Sequence, residues 1–363
     1  MKIERLEYIP IAIDRSQVFK IATGSELTTE NVMVKIQGEG EIGWGNASAN
    51  NVTEETTGTI LNALKIMKKD IEGKDVDIEE FWSRQRDRLP DDRSALAGVD
   101  IALHDLKAKI EGKRVFELYG GREKGIVTDR TIGIMSLGET VEHASLFINQ
   151  GFDALKVKIG LDLFEDIRRL KAIREEVSPT LDMWVDANQG YKVQEAFTLS
   201  QKLMDLDIEF IEQPIVVGDE DGLKKVTLRS NIPIMADESV KDHEDAEKIC
   251  YREIADMINI KLMKCSGITG GRKIVEVLED YGVNAMVGCM GEVIPSLAAA
   301  ANLHMTSGNI RYADLDSHFM IPENIASGFD FRDGRLWIAD QPGLGIEVSD
   351  DKVEKFKMEN DEE

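Results

Sequence analysis

The sequence contains few cysteines and no long apolar run. Its three cysteines, Cys250, Cys265 and Cys289, form no Cys-x-x-Cys pair, and an odd number of thiols is typical of proteins from a reducing cytoplasm. No apolar run reaches the roughly 18 residues of a membrane-spanning helix, and residues 1–7 are too polar for a signal peptide. These absences predict a soluble, cytoplasmic protein without a membrane partner.

Positive charge is also scarce. The 44 lysines and arginines are outnumbered by 68 aspartates and glutamates, which gives a formal net charge of −24. Such a chain would repel the phosphates of a nucleic acid, so this class of partner is excluded. What the sequence does contain is an apolar fraction of 42% over 363 residues, enough to bury a large core and to build two domains.

Residues 1–125 predict a compact α+β domain, because strand patterns come first and helical patterns follow. The predicted elements are strands at Leu6–Ile13, Asn31–Gln37 and Glu41–Gly45, then helices at Thr53–Lys69 and Ser94–Glu111. Between the first two strands, Phe19–Ser25 is polar and contains a glycine, which predicts a loop.

From residue 126 to residue 320, short apolar strands alternate with amphipathic helices. The strands are predicted at Thr131–Ile134, Ala154–Ile159 and Met183–Asp186 and near Phe210, Ile234, Met257, Ala285 and Ile310, and the first helices at Gly138–Gln150, Leu163–Val177 and Val193–Leu206. Eight such strands predict an α/β protein with a modified, TIM-like (β/α)8 barrel of the (β/α)7β form. Residues 321–363 return to strand and turn patterns and are expected to rejoin the α+β domain, which caps the barrel.

An open, doubly wound sheet is the competing architecture. It would normally carry a glycine-rich phosphate-binding turn after its first strand, and Ile134–Gly138 is not such a turn. Gly267–Gly271 is rich in glycine but follows the sixth barrel strand, and we interpret it as an ordinary connection into a helix. The barrel is therefore favoured.

Charged residues recur near the ends of five successive barrel strands. They are Lys158, Asp186, Glu212, Asp237 and Lys261, and each follows the previous one by 24–28 positions, the length of one strand–helix unit. Taken singly, such a lysine is typical of an exposed edge strand, and such an acid is typical of a helix N-cap or a solvated loop. Taken together they indicate one pocket, because side chains at the carboxyl ends of barrel strands converge.

The three acids predict a metal site. Carboxylates forced together without a cation would repel one another, and their pKa values would rise. A hard divalent ion such as Mg²⁺ prefers oxygen ligands and keeps positions for water or substrate. Because no histidine or cysteine occupies these strand ends, zinc is not expected. We therefore predict one Mg²⁺ per subunit, bound by Asp186, Glu212 and Asp237.

The two lysines predict acid–base chemistry. Lys158 and Lys261 belong to the second and sixth strands, which face each other across an eight-stranded barrel. Near a dication and a second ammonium group, the pKa of a lysine is expected to fall from about 10.4 toward about 7–8, the range useful for proton removal. Two such lysines can take a proton from one face of a carbon and return one to the other. Lys156, on the same strand face as Lys158, is expected to add positive charge at a substrate carboxylate.

These motifs together resemble those of the enolase superfamily, and of its muconate-lactonising-enzyme subgroup in particular. The motifs are Lys-x-Lys at 156–158, Asp-Ala-Asn at 186–188, Glu-Gln-Pro at 212–214, Asp-Glu-Ser at 237–239 and Asn-Ile-Lys-Leu-Met-Lys at 259–264. The resemblance spans nearly the whole chain. It implies that Lys158 and Lys261 are the acid–base pair, with Mg²⁺ on the three acids. It also implies that Asn188 and Glu238 support the metal site.

Asp314 and Asp316, at the end of the eighth strand, narrow the substrate class. Period two puts both on one face, and two carboxylates without a metal role indicate a cation. The pair resembles that of dipeptide epimerases, where it holds the substrate's α-ammonium group, and an acidic barrel rim is the alternative.

We therefore expect epimerisation of the C-terminal residue of an L,L-dipeptide to L,D through a metal-stabilised enediolate. The alternatives on the same scaffold are an N-acylamino acid racemase, an o-succinylbenzoate synthase and a muconate cycloisomerase. A ligand-binding barrel without catalysis is a more remote alternative.

The side chain of the dipeptide depends on the region of Gly24. Members acting on Ala-Glu carry an arginine at about this place, so Gly24 disfavours a glutamate substrate and leaves a hydrophobic or cationic one. Glu54, Glu55 and Glu292 are candidates for attracting a basic side chain, with solvated rim residues as the alternative. Cys289 on the seventh strand is a candidate substrate contact, with a packed thiol as the alternative. A homo-oligomer is expected, since related barrels often assemble symmetrically.

Overall fold

The computed structural model describes residues 1–178 and 181–359. The chain begins with the predicted α+β domain, a three-stranded antiparallel sheet in the order β1-β2-β3 followed by three helices. The elements are β1 (Arg5–Ile21), β2 (Gly24–Gly38), β3 (Glu41–Ser48), α1 (Thr57–Ile71), α2 (Ile78–Arg88) and α3 (Arg93–Ile110). Val32, Val34 and Ile36 lie in the apolar core between sheet and helices, as their alternation predicts.

Helix α2 has no counterpart among the predicted elements. Most of its residues are charged, and only a short stripe that includes Ile78, Phe81 and Trp82 is buried. Asp77 caps its start, because the carboxylate accepts a hydrogen bond from the amide of Glu80 at 3.0 Å. A stripe this short gives a weak periodic signal.

The predicted loop Phe19–Ser25 is instead the end of a long β-hairpin. Strands β1 and β2 pair as far as the tip, where Ile21 lies opposite Gly24, with one shift of register between Asp14 and Phe19. The tip reaches the barrel, and the amide of Ile134 donates to the carbonyl oxygen of Lys20 at 2.9 Å. The loop prediction is wrong because these polar residues belong to strands that extend beyond the apolar core.

Residues 129–313 form the predicted barrel of eight parallel strands. In chain order its elements are β4 (Asp129–Ile132), α4 (Leu137–Asn149), β5 (Ala154–Lys158), α5 (Leu163–Glu176), β6 (Asp182–Asp186), α6 (Val193–Lys202), β7 (Ile211–Glu212), α7 (Glu220–Thr227), β8 (Ile234–Ala236), α8 (His243–Tyr251), β9 (Met257–Lys261), α9 (Leu262–Cys265), α10 (Ile268–Tyr281), β10 (Asn284–Gly288), α11 (Ile294–His304) and β11 (Ile310–Ala313). Each strand pairs with its sequence neighbours. Seven helical connections and an eighth strand confirm the predicted (β/α)7β form.

The first and last barrel strands are joined through a side chain. Strands β4 and β11 are the two ends of the hydrogen-bonded sheet. Between them, the hydroxyl of Thr128 accepts from the amide of Leu315 at 3.0 Å and donates to the carbonyl oxygen of Ala313 at 3.4 Å. The barrel is therefore nearly closed, with a threonine bridging its seam.

An apolar plug fills the amino-terminal end of the barrel. The plug consists of Ala154, Trp184, Phe210, Met235, Met257 and Met286. The rings of Trp184 and Phe210 stack with centroids 5.3 Å apart. Asp186 and Glu212 follow these two aromatic residues by two positions in the chain. Because alternate residues of a strand face the same side, their carboxylates also face the barrel interior. The interior therefore changes from apolar to charged within one layer of side chains.

Helix α3 connects the capping domain to the barrel. The sheet approaches it so closely that a Cβ at Gly43 would lie 2.1 Å from the carbonyl oxygen of Ala102, a contact that glycine avoids. On the barrel side, the buried carboxylate of Asp100 accepts from the Thr269 hydroxyl at 2.6 Å at the start of α10. None of the helices in the described parts of the chain has both the length and the apolar character needed to traverse a bilayer.

The carboxyl-terminal segment contacts both the barrel and the capping domain. Its elements are β12 (Ala326–Ser327), β13 (Phe329–Arg332), β14 (Arg335–Ile338), β15 (Glu347–Val348) and α12 (Asp350–Lys355). Leu336 and Ile126 exchange main-chain hydrogen bonds of 2.8 and 3.0 Å, and Val353 packs in one apolar cluster with Ile11. The domain boundaries near residues 125 and 320 stay predictions, and residues 360–363 lie outside the described part of the chain.

Glu55 is buried at the start of α3. Its carboxylate accepts hydrogen bonds from the amides of Ser94 at 2.7 Å and Ala95 at 3.0 Å. These are amides that the helix itself leaves unpaired, so Glu55 stabilises the helix start. Burial raises the pKa of Glu55 to about 7. A solvated rim position for this residue is therefore wrong.

We expect Glu55→Gln to flatten the pH dependence of stability. Because the folded-state pKa of Glu55 exceeds the unfolded value of 4.5, folding takes up a proton and the free energy of unfolding falls as pH rises from 4.5 to about 7. The fall is on the order of 2–3 kcal/mol and is absent from the variant. Urea unfolding below and above this window measures it, with Glu54→Gln at the exposed neighbouring position as control. Equal pH slopes in wild type and Glu55→Gln would contradict the assignment.

Candidate active site

The charged side chains predicted from the strand ends meet at the carboxyl end of the barrel. Strand register places Lys158 beside Asp186, and Asp186 beside Glu212. Asp237 directly follows β8, and Lys261 ends β9. All five are almost inaccessible, with exposed fractions between 0% and 7%. One small volume therefore contains buried charges of both signs.

Lys158 is held by two oxygen acceptors. Its Nζ donates to Asp186 Oδ2 at 2.6 Å and to Asn188 Oδ1 at 3.1 Å. Asn188 donates in turn from its amide to Asp186 Oδ1 at 2.9 Å and from Nδ2 to Glu238 Oε1 at 3.3 Å. Asn188 and Glu238 therefore connect Lys158 with the acidic residues, and their supporting role at a metal stays a prediction.

Lys261 and Lys264 hold Asp237 between them. Lys261 donates to Asp237 Oδ2 at 2.7 Å, and Lys264 donates to Oδ1 at 2.6 Å. Lys264 also donates to the carbonyl oxygen of Asn259 at 3.1 Å, while Asn259 Nδ2 donates to Glu212 Oε1 at 2.7 Å. Burial opposes ionisation of Asp237, but the two ammonium groups outweigh it and hold its pKa well below the ordinary value.

Lys156 lies among three carboxylates of the protein. Its Nζ is 3.0 Å from Asp186 Oδ2, 2.8 Å from Glu212 Oε2 and 2.8 Å from Asp314 Oδ2. Burial opposes its charge, but the carboxylates of Asp314 and Glu212 raise its pKa well above the ordinary value. In this arrangement its charge compensates protein groups, and its contact with a substrate carboxylate stays a prediction.

The pKa of Lys261 does not follow the expected fall. Burial lowers it, but Asp237 and Glu212 raise it more, so it lies above the ordinary lysine value. Among the protein groups, the nearby carboxylates outweigh the second ammonium group, and the expected fall of the pKa beside a bound dication stays a prediction. A nearby dication would act in the opposite direction.

The three predicted metal ligands suit a hard divalent ion by the chemistry of their donor atoms. Burial and the charge of Asp186 raise the pKa of Glu212 to about 7, and burial with the charge of Asp237 raises that of Glu238 to about 7, so an added cation would favour the ionised form of both carboxyl groups. Glu238 Oε2 is buried without a hydrogen-bond partner among the described residues. In the described part of the chain, donor atoms of the acidic trio do not all lie within 4.8 Å of one another, and Lys156 stands between Asp186 and Glu212.

A cavity of about 220 Å³ lies at this end of the barrel. The tip of the β1–β2 hairpin and residues 50–52 form its roof. The predicted site residues that line it are Gly24, Lys158, Asn188, Asp237, Glu238, Lys261, Cys289, Asp314 and Asp316. Asp186, Glu212 and Lys156 are 0–1% exposed and lie behind its wall. The two lysines from opposite sides of the barrel therefore open into one cavity.

Asp314 and Asp316 lie beside Cys289, and one donor atom of each lies within 4.8 Å of the other two. Both aspartates already have a cationic partner. Asp314 Oδ2 accepts from Lys156, and Asp316 Oδ2 accepts from Arg130 Nη1 at 2.9 Å. Among the described residues these bonds use Oδ2 in both cases, which leaves the Oδ1 of each aspartate for a ligand.

The cavity roof contains an ion pair and an open position. Arg15 Nη2 donates to Glu26 Oε2 at 3.1 Å, and the Arg15 guanidinium lies 5.6 Å from the ring centroid of Phe19. At Gly24, by contrast, an added Cβ would meet no atom within 4 Å. In the roof, the charges of Arg15 and Glu26 therefore compensate each other, and there is space for a side chain at position 24.

The acids expected to attract a basic side chain do not lie in the cavity wall. Among the described residues that line the cavity, Glu54, Glu55 and Glu292 are absent. Glu292 is 3% exposed and accepts a hydrogen bond from the amide of Met290. The acid that reaches the roof is Glu26, so the structure does not support attraction of a basic side chain by Glu54, Glu55 or Glu292, and Glu54 is exposed as the alternative expects.

Several polar residues of the site have no role in the sequence prediction. Asn259 shares the inward face of Lys261 two positions away, and Lys264 interrupts the apolar run of α9, so both left a signal in the sequence. Asp129 left none. It is 0% exposed, and neither carboxylate oxygen has a hydrogen-bond partner among the described residues. Burial and Asp314 raise its pKa well above the ordinary value.

The fold and the site together define a barrel of the enolase superfamily, covered at its carboxyl end by an α+β domain. Residues 9–120 match the family described as mandelate racemase / muconate lactonizing enzyme, N-terminal domain, and residues 139–352 match the enolase C-terminal domain-like family. The chain belongs to the mandelate racemase / muconate lactonizing enzyme family, which confirms the resemblance seen in the motifs.

Three relatives illustrate the range of this family. The chain is 36% identical to the L-Ala-D/L-Glu epimerase of Bacillus subtilis (strain 168) over 95% of this chain and 97% of that protein. It is similar to the dipeptide epimerase of Enterococcus faecalis V583 complexed with Mg and L-Leu-L-Tyr, with a TM-score of 0.92, 34% identity and coverage of 95% and 99%. It is also similar to the N-succinyl Arg/Lys racemase of Bacillus cereus ATCC 14579, with a TM-score of 0.95, 27% identity and coverage of 99% and 98%.

We expect all three thiols to be alkylated slowly at about pH 8, because the thiolate is the nucleophile. Burial raises the pKa of Cys250 to about 11 and that of Cys265 to about 12, and burial with Asp314 raises that of Cys289 well above the ordinary value. Asp314→Asn removes one negative charge and should speed iodoacetamide labelling of Cys289 about three- to tenfold. Peptide mass spectrometry measures the rates, with Cys250 as internal control. An unchanged ratio of the two rates would argue against this proximity.

Proposed function

We propose that this protein is an isomerase, a Mg²⁺-dependent dipeptide epimerase that transfers a proton at the α-carbon of the C-terminal residue of an L,L-dipeptide. The observation that carries the proposal is that Lys158 and Lys261, from opposite sides of the barrel, line one cavity with the aspartates 314 and 316. A substrate with a weakly acidic C–H bond and a free ammonium group matches both features. The epimerases of Bacillus subtilis and Enterococcus faecalis support the same reaction class.

The two lysines supply a two-base mechanism. One lysine, as the free amine, takes the α-proton from its face of the carbon, and the other, as ammonium, delivers a proton to the opposite face. The carbon is thereby inverted, and each lysine is left in the protonation state that the reverse reaction needs. The hydrogen bonds of Lys158 to Asp186 and Asn188, and of Lys261 to Asp237, fix both Nζ atoms.

Asp186, Glu212 and Asp237 are the residues that would hold Mg²⁺. When bound, the ion would neutralise a substrate carboxylate and stabilise the negative charge that develops as the α-proton leaves. Asn259 and Lys264 hold two of these acids in place from behind, through Glu212 Oε1 and Asp237 Oδ1.

Asp314 and Asp316 would bind the substrate ammonium group through their Oδ1 atoms, with Cys289 beside them. The roof would contact the side chain of the epimerised residue. Because Arg15 and Glu26 compensate each other there, we propose a hydrophobic side chain ahead of a cationic one.

A racemase acting on an N-acylated amino acid is the second candidate. Asp314 and Asp316 are already paired with Lys156 and Arg130, so the site does not require a further cation. The similar N-succinyl Arg/Lys racemase supports this class. A synthase, a cycloisomerase or a barrel without catalysis would fail the exchange experiment below.

Two further properties stay predictions. The cytoplasmic location is supported by the three cysteines, which are free thiols. A homo-oligomer is supported only by the general observation that related barrels often assemble symmetrically.

We expect the protein with Mg²⁺ to exchange the α-hydrogen of dipeptides in D₂O, read by mass spectrometry over a dipeptide library. Lys158→Ala and Lys261→Ala should each abolish exchange for one epimer, by at least about 1000-fold, and leave Mg²⁺ binding intact. Exchange of N-succinyl amino acids but not of dipeptides would favour the second candidate. No exchange with any compound, despite bound Mg²⁺, would exclude both.

We expect Gly24→Arg to shift selectivity toward Ala-Glu. The open space at Gly24 accommodates the new side chain, whose guanidinium can pair with the substrate's γ-carboxylate. The ratio of kcat/KM for Ala-Glu to that for Ala-Leu should rise about 10-fold or more. Gly24→Gln, of comparable length and uncharged, is the matched control. A preference of the unchanged protein for Ala-Glu would contradict the inference from Gly24.

A further inference from the structure

Three buried side chains surround the main chain next to Lys158. Asp166 and Arg169 lie one turn apart on α5, and Tyr191 lies in the loop between β6 and α6. Their exposed fractions are 2%, 3% and 6%. None of the three is part of the cavity wall formed by the described residues, so the proposed chemistry leaves their burial unexplained.

The three side chains hold the end of β5 at two points. Arg169 Nη2 donates to the carbonyl oxygen of Lys158 at 2.8 Å and to Asp166 Oδ1 at 2.6 Å. Asp166 Oδ2 accepts from the amide of Gly160 at 2.9 Å and from the hydroxyl of Tyr191 at 2.6 Å. The carbonyl of Lys158 and an amide two residues later are therefore fixed by one charge-assisted network.

The chain at this point has a conformation that needs such support. Gly160 has a φ of 110°, and a Cβ there would lie 2.5 Å from the carbonyl oxygen of Ala187. Tyr191 belongs to the same loop as Asn188, whose Oδ1 accepts a hydrogen bond from Lys158 Nζ. The network therefore joins the strand that carries Lys158 to the loop that orients its ammonium group.

We propose that Asp166, Arg169 and Tyr191 are positioning residues for Lys158 and act on one of the two faces of the reacting carbon. This inference rests on the proposed two-base function. Lys261 is on β9, across the barrel from β5, whereas the network's bonds go to the end of β5. A shift of the Lys158 backbone changes the distance from Nζ to the α-hydrogen of one epimer and leaves the other epimer's distance to Lys261 as it was.

The test compares α-hydrogen exchange of the L,L and L,D epimers in D₂O at low conversion. Lys158→Ala first identifies the epimer whose hydrogen Lys158 removes. Tyr191→Phe and Arg169→Lys should then slow exchange of that epimer about 10- to 100-fold and change the other by less than about threefold. Tyr191→Phe removes a single hydroxyl and keeps the test valid if Arg169→Lys does not fold.

The matched control is Arg174→Lys on the same helix. Arg174 also donates to main-chain carbonyl oxygens, those of Ser178, Leu181, Leu206 and Asp207, and none of these acceptors belongs to β5 or to the loop that contains Asn188. It should slow neither epimer selectively. Equal slowing of both epimers by the network variants, or no slowing, would overturn the positioning role and leave the proposed function standing. Absence of exchange in the wild type would overturn the proposed function, and this inference with it.

Discussion

Ion pairs between lysines and carboxylates in the barrel interior are the constraint on which the rest of the site depends. The apolar plug below them excludes water as a source of compensation, so each charge needs an opposite charge nearby. Lys156 forms ion pairs with Asp186 and Glu212, and Lys264 forms an ion pair with Asp237. Removing one partner from such a pair leaves an uncompensated buried charge, which is far more destabilising than the loss of an exposed salt bridge.

The four lysines of the site divide into two kinds. Lys156 and Lys264 are 1% exposed and hold carboxylates in place, whereas Lys158 and Lys261 reach the cavity. The same carboxylates raise the pKa of Lys261, which works against its use as a base. Base strength at the cavity is therefore coupled to how much other positive charge the acids hold, and a cation on the acids would favour the free amine.

The local pattern of apolar and charged residues in the sequence was sufficient to predict the barrel and the charged residues at the ends of its strands. The regular spacing from Lys158 to Lys261 is set by strand–helix units, and strand alternation places side chains on one face without knowledge of the rest of the fold. Contacts between distant segments were not accessible in this way. The capping of α3 by Glu55 joins residues 39 and 40 positions apart, and Arg130 meets Asp316 across 186 positions. The hairpin tip is not predictable from local pattern for a related reason, since its strands contact the barrel that they reach rather than a core of their own.

The hairpin roof has a consequence for how such a protein diversifies. Most of the residues that form the roof of the cavity, from Arg15 to Glu26, belong to one hairpin near the start of the chain, with residues 50–52 beside it, while the charged groups of the site come from positions 156 to 316. Substitutions in the hairpin can remodel which ligands fit while the reactive centre is inherited intact. Selectivity for the substrate side chain and proton transfer at its α-carbon therefore depend on separate segments of the chain, and substitutions can change the first without changing the second.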